Sequence, residues 1–143
     1  MTSPRSRAEF FVEPERDGRF SGPATGDERR MLADVERRWF RQVLAGEDAP
    51  PLFSSADDPD GDFDGALSTD PAAVGAAWEA WRTEVAFAER FVAEAPDLEV
   101  EAVDAWRGTV SLRWVLIHMV EEYARHNGHA DLLRERIDGA IGI

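Results

Sequence analysis

An all-α fold, a helical bundle in one domain, is what this sequence predicts, and three observations carry the expectation. Apolar residues recur at helical spacing in three long segments. Two of those segments open with a helix-capping residue. The segments are separated by stretches rich in proline, glycine and aspartate. The length of 143 residues suits one domain, and a hydrophobic fraction of 43% is enough for a buried core.

Residues 1–26 mix arginine, proline, glycine and serine with isolated aromatics (Phe10, Phe11, Phe20) and read as an extended N-terminal arm. The bundle domain is expected over residues 27–143. From Asp27 to about Ala45, Leu32, Val35, Trp39 and Val43 fall on one helical stripe, with Asp34, Arg37, Arg38 and Arg41 turned elsewhere and Gly46 as the stop. Residues 47–70 form a long acidic loop. Within it Asp60, Asp62, Asp64 and Gly65 fit the opening of an EF-hand calcium loop, but Pro71 stands where the bidentate glutamate belongs, so the segment reads as a solvated loop.

Asp70 and Pro71 form a helix start, with aspartate as N-cap and proline in the first turn. The helix is expected to run to about Ala95, lined by Val74, Trp78, Trp81, Val85, Ala88 and Val92, and to end at Pro96. Trp39, Trp78 and Trp81 read as core residues, because large aromatics dominate burial. From Asp97 to Val110 the pattern loosens to near alternation, which predicts a short extended connection with a turn at Arg107-Gly108. Ser111 caps a last helix reaching Asp138, with Gly139 as its stop.

Composition narrows the chemistry. Cysteine is absent and every one of the 16 basic residues is arginine, which excludes disulfides, thiolate nucleophiles, Schiff-base lysines and a P-loop lysine. A net charge of −13 repels phosphate backbones and anionic membrane surfaces, so neither nucleic acid nor membrane is expected as a partner. No apolar run reaches the ~18 residues of a membrane span, and Met1 to Phe20 hold no secretory apolar region. A soluble, cytoplasmic protein acting on a small molecule is the expectation.

The last helix carries all three histidines. At about 100° per residue, Glu122, His126 and His129 fall within roughly 80° of His118, on a face shared with Val115 and Leu133. Ionisable groups on a core-facing stripe cost several kcal/mol each unless partnered. A divalent ion held by Glu122, His126 and His129, with His118 as a further candidate, is one solution, and the donor set suits Zn, Ni, Fe or Mn. Half-buried histidines hydrogen-bonded to carboxylates are the other. Glu121 and Arg125 read as a surface ion pair.

The run Ser111-Leu112-Arg113-Trp114-Val115-Leu116-Ile117-His118-Met119, with Glu121-Glu122-Tyr123-Ala124-Arg125-His126-Asn127-Gly128-His129-Ala130-Asp131 after it, resembles the DinB-like four-helix-bundle superfamily. The likeness is to its branch of mycothiol-dependent maleylpyruvate isomerases and mycothiol S-transferases. Ala33 to Phe40 and Leu44 to Glu47 extend it, so that it covers roughly residues 27 to 140. The resemblance implies one divalent metal bound by a histidine on an early helix together with a pair on the last helix, here Glu122 and His126. It also implies a low-molecular-weight thiol such as mycothiol as co-substrate.

Two departures accompany the likeness. Met31 occupies the early ligand's position, and Gly26 to Arg30 join straight onto what would be the family's second helix. The resemblance therefore implies a member with an incomplete first helix and an impaired metal site. Two classes of function stay open: a metal-dependent thiol S-transferase or isomerase, and a degenerate, non-catalytic binding or assembly protein whose uncovered helical faces pair in a homodimer.

Overall fold

The computed structural model describes residues 23–59, 61 and 70–141. Helix α1 (Pro23–Glu36) begins four residues ahead of Asp27 and runs without a break into a π-helical segment (Arg37–Leu44). The remaining elements are α2 (Pro71–Glu94), the strands β1 (Glu101–Asp104) and β2 (Gly108–Ser111), and α3 (Leu112–Asp138). The chain belongs to the all-α class expected. Residues 1–22 of the arm lie outside the described residues, as do Asp60, Asp62, Asp64 and Gly65 of the calcium-loop frame.

The punctuation marks act as their chemistry dictates. The Asp70 carboxylate accepts from the Ala72 N–H at 3.0 Å, and Pro71 follows in the first turn of α2. Ser111 Oγ accepts from the Trp114 N–H at 3.1 Å to start α3. The N–H groups of Leu112 and Arg113, orphans of that first turn, donate to the carbonyls of Val100 and Leu98. Gly139 closes α3 with φ of 74°, a left-handed conformation that a side chain would strain.

The extended connection is an antiparallel hairpin, in register from Glu101↔Ser111 to Asp104↔Gly108. Asp104 folds its turn by accepting from the N–H groups of Trp106 and Arg107, and Gly108 supplies the positive φ. Val110 is buried, while Val103 faces outward.

Helix α1 lies against both α2 and α3 and contributes to two groups of core residues. Leu32, Ala33, Trp81 and Val85 form one. Trp39, Phe40, Ala88, Val110, Leu112, Val115 and Met119 form the other, and Tyr123 borders both. Trp39 and Trp81 are buried as expected, whereas Trp78 is only half-buried.

The stripe drawn for α1 needs correction beyond Glu36. The Ala45 N–H reaches back five residues to the Phe40 carbonyl, the π pattern. Each π turn takes up more residues than an α turn, so the inward face moves on by one. Phe40 is wholly buried next to Trp39, and Val43 and Leu44 are left half-buried at the edge. On α2, Ala77 and Glu84 are buried with Trp81, Val85 and Ala88, while Val74 and Val92 stay half-buried.

Two buried carboxylates tie the π segment down. Glu84 accepts from Arg37 Nη1 at 2.9 Å and from Arg41 Nε at 2.6 Å. Asp104 accepts from Arg38 Nη2 at 2.5 Å. Burial pushes the Asp104 carboxyl up, but the hydrogen bond and charge of Arg38, with the backbone donors, outweigh burial and hold it below the usual carboxylate range.

The sign of the linkage follows. A depressed folded-state pKa contributes stability that is complete above the unfolded value, about pH 3.9, and is lost as pH falls through the folded value. Asp104→Asn is expected to lower stability at neutral pH by about 1–3 kcal/mol and to flatten its dependence on pH in acid. Urea melts at several pH values measure both.

No helix among the described residues is long and apolar enough to cross a membrane. Along α3, Ile117, Val120, Leu132, Leu133 and Ile137 are exposed.

Candidate metal centre

The N-terminal half of α1 runs antiparallel to the C-terminal half of α3, and this pairing brings a carboxylate to the histidine face. Glu28 stands one turn before Leu32 on the stripe that continues into the core. Its Oε2 receives a hydrogen bond from His126 Nδ1 at 2.5 Å, between groups that are both buried (9% and 8% exposed). His129, one turn further along α3 and open to solvent, sets its ring edge-on to that of His126, with centroids 6.0 Å apart. One ligand atom each from Glu28, His126 and His129 lie within 4.8 Å of one another.

Glu122 and His118 occupy the next turns toward the start of α3. Glu122 Oε1 is 3.2 Å from His118 Nε2, and its Oε2 is 3.7 Å from His126 Nε2. Arg125 approaches the same carboxylate at 3.4 Å, so the ion pair of this face joins Arg125 to Glu122 rather than to Glu121. Glu121 approaches His118 Nδ1 at 3.4 Å instead. The His118 ring stacks on Trp114 at 4.9 Å and meets Trp39 edge-on at 5.0 Å. This aromatic packing places His118 on the far side of Glu122 from His129.

The structure therefore gathers His126 and His129, sets Glu122 at their flank, and holds His118 in an aromatic cage. Glu28 is the group that sequence reasoning missed. The family resemblance directs attention to a histidine at position 31, and Met31 is only half-buried there. The available signal was the stripe itself: one turn back from Leu32 lands on Glu28.

Other buried polar groups surround the cluster. The Arg29 guanidinium lies over the rings of Trp78 and Trp81, at 4.1 and 4.4 Å from their centroids. Glu36, wholly buried two turns along α1 from Glu28, accepts from the Tyr123 hydroxyl at 2.6 Å. On the surface at the start of α3, Arg113 pairs with Glu99 at 2.6 Å beside the hairpin.

The donor set fits a divalent ion. Two imidazoles and one carboxylate are the borderline and hard donors that zinc, iron, manganese and nickel accept, and as ligands from two elements they would leave a position open for a substrate. Two of the three donors, Glu28 and His126, are withdrawn from water and compensate each other through their hydrogen bond. The thioether of Met31 would not have served such an ion.

Residues 30–139 match the sequence profile of the family described as Mycothiol-S-transferase. The chain belongs to the mycothiol S-transferase family. Neither a curated protein nor a solved structure gives a match alongside it. In this family member the matched stretch spans the second half of α1 and everything from there to Gly139, including His126 and His129, and Glu28 stands two residues ahead of it.

Proposed function

We propose that this family member is a divalent-metal-dependent S-transferase, or isomerase of the same chemistry, that activates a low-molecular-weight thiol of the mycothiol type. The observation that carries the reading is the convergence of Glu28 from α1 with His126 and His129 from α3. An early helix that offers no histidine still brings a ligand. A divalent ion held there would lower the pKa of a thiol so that the thiolate forms at neutral pH.

The side chains have distinct parts in this reading. Glu28 and His126, both buried, hold the inner side of the site. His129 closes the outer side, where a small-molecule substrate enters from solvent. Glu122, 3.7 Å from His126 Nε2 and 3.2 Å from His118 Nε2, lies between the two rings and steadies both.

Protein purified without chelator or affinity histidines should carry about one divalent ion per chain by mass spectrometry. It should also form a thioether adduct from mycothiol and an electrophile, with the rate falling after dialysis against a chelator and returning with the metal. Metal-free protein whose adduct formation does not respond to added metal would overturn the reading.

The exposed apolar residues of α3 favour a second reading, a non-catalytic assembly protein that pairs as a homodimer. A concentration-independent dimer by sedimentation, with no bound ion, is the result that reading requires.

A further inference from the structure

Tyr123 stands three residues before His126 on α3, and its hydroxyl is held from two sides. Trp81 Nε1 of α2 donates to it at 2.9 Å, and the hydroxyl donates to Glu36 Oε1 of α1 at 2.6 Å. Trp81 is 3% exposed and Glu36 is fully buried. One phenol thus joins all three helices in a single donor-to-acceptor chain, and its ring packs against both groups of core residues.

We infer that Tyr123 is a positioning residue for the metal centre, fixing the rotation and height of α3 so that His126 meets Glu28; the inference rests on the function proposed above. Three geometric points carry it. Apolar contacts alone are non-directional and leave a helix free to turn or slide by a fraction of an ångström, whereas a buried hydrogen bond to a carboxylate sets one position. Glu28 and Glu36 stand two turns apart on α1, with the buried Leu32 between them, and Tyr123 and His126 one turn apart on α3. The two cross-helix pairs, Tyr123–Glu36 and His126–Glu28, therefore form consecutive rungs between the same two helices. The first is anchored to α2 as well, through Trp81. A first rung locked to a third helix leaves little freedom to the second.

Tyr123→Phe keeps the ring and the packing and removes only the hydroxyl, so it separates position from bulk. The test is a zinc titration against a competing chelator dye, with helix content and melting temperature of the metal-free protein recorded beside it. We expect Tyr123→Phe to retain its helix content and to bind zinc on the order of tenfold more weakly, within the range that loss of a supporting hydrogen bond costs a metal site. Glu36→Gln, which keeps an oxygen for the phenol, should bind within about threefold of wild type, while Glu36→Leu, which does not, should match Tyr123→Phe.

A purely structural role would lower the melting temperature and leave zinc affinity unmoved. That result would overturn the inference and leave the centre itself standing. Wild type that fails to bind zinc would overturn both, and only then would the reference protein fail. Should Tyr123→Phe not fold, Trp81→Phe removes the α2 donor and leaves the Tyr123–Glu36 bond. Weakened zinc binding in Trp81→Phe supports the inference, and unchanged binding overturns it.

Discussion

Glu28→Gln is expected to weaken zinc binding by more than about a hundredfold, beyond the top of the 10–100-fold range that loss of an outer hydrogen-bond partner costs a metal site. The substitution preserves shape, and the amide oxygen it introduces would still accept from His126 Nδ1, so the α1–α3 contact survives. What is removed is the negative charge and the carboxylate ligand. His126→Ala should abolish binding to the same degree, because it takes away a buried donor. His129→Ala should cost less, since an exposed imidazole can be replaced by water. Glu122→Gln should cost less again, for that carboxylate flanks the cluster without entering it. Dye-competition titrations rank the four. A ranking with Glu122 first and Glu28 last would move the site up α3, onto the pair that the family resemblance implies.

The largest loss of stability should come from Phe40→Ala, at about 3–5 kcal/mol, the usual cost of emptying a wholly buried aromatic site. Val43→Ala should cost only about 1 kcal/mol, a typical value for a site at the edge of a core. The contrast tests the π segment. A continuous α-helix from Asp27 to Ala45 would keep Phe40 in the buried arc between Glu36 and Ala33 and bring Val43 in beside it, so the cost of Val43→Ala would rise to that of a core valine. For a domain of this size the expected difference is roughly 10 °C in melting temperature, which calorimetry resolves readily.

The π segment also shows where the sequence was readable and where it was not. Helix ends were, because a cap is a local device: Asp70 with Pro71, Ser111, and Gly139 each act within a few residues of themselves. The all-α class and the burial of Trp39 and Trp81 follow from periodicity that three long helices repeat. The π segment was not readable, since it depends on how Arg37, Arg38 and Arg41 reach Glu84 and Asp104, residues more than 40 positions away. Charges on a helix ordinarily mark its solvated side, and here they mark its clamps.

The hairpin showed itself as alternation and a turn at Arg107-Gly108, while its pairing is decided by the turn that Asp104 folds. For the site, spacing put His126 and His129 on one face of α3 and they stand together there, but His129 and Leu133 face solvent and not the core as expected. Glu28 was hidden by its place in the first turns of a helix, where an acidic residue normally serves the helix dipole. Its role comes from the antiparallel docking of α1 on α3, a tertiary fact. Glu36 was hidden beside Arg37 and Arg38 at the end of α1, and it is the residue that Tyr123 grips.

The most direct measurement of the central claim is anomalous diffraction at the zinc edge from crystals grown with zinc. One strong peak per chain is expected, within bonding distance of Glu28, His126 and His129. A peak between Glu122 and His118, or none at full zinc loading, would contradict the claim.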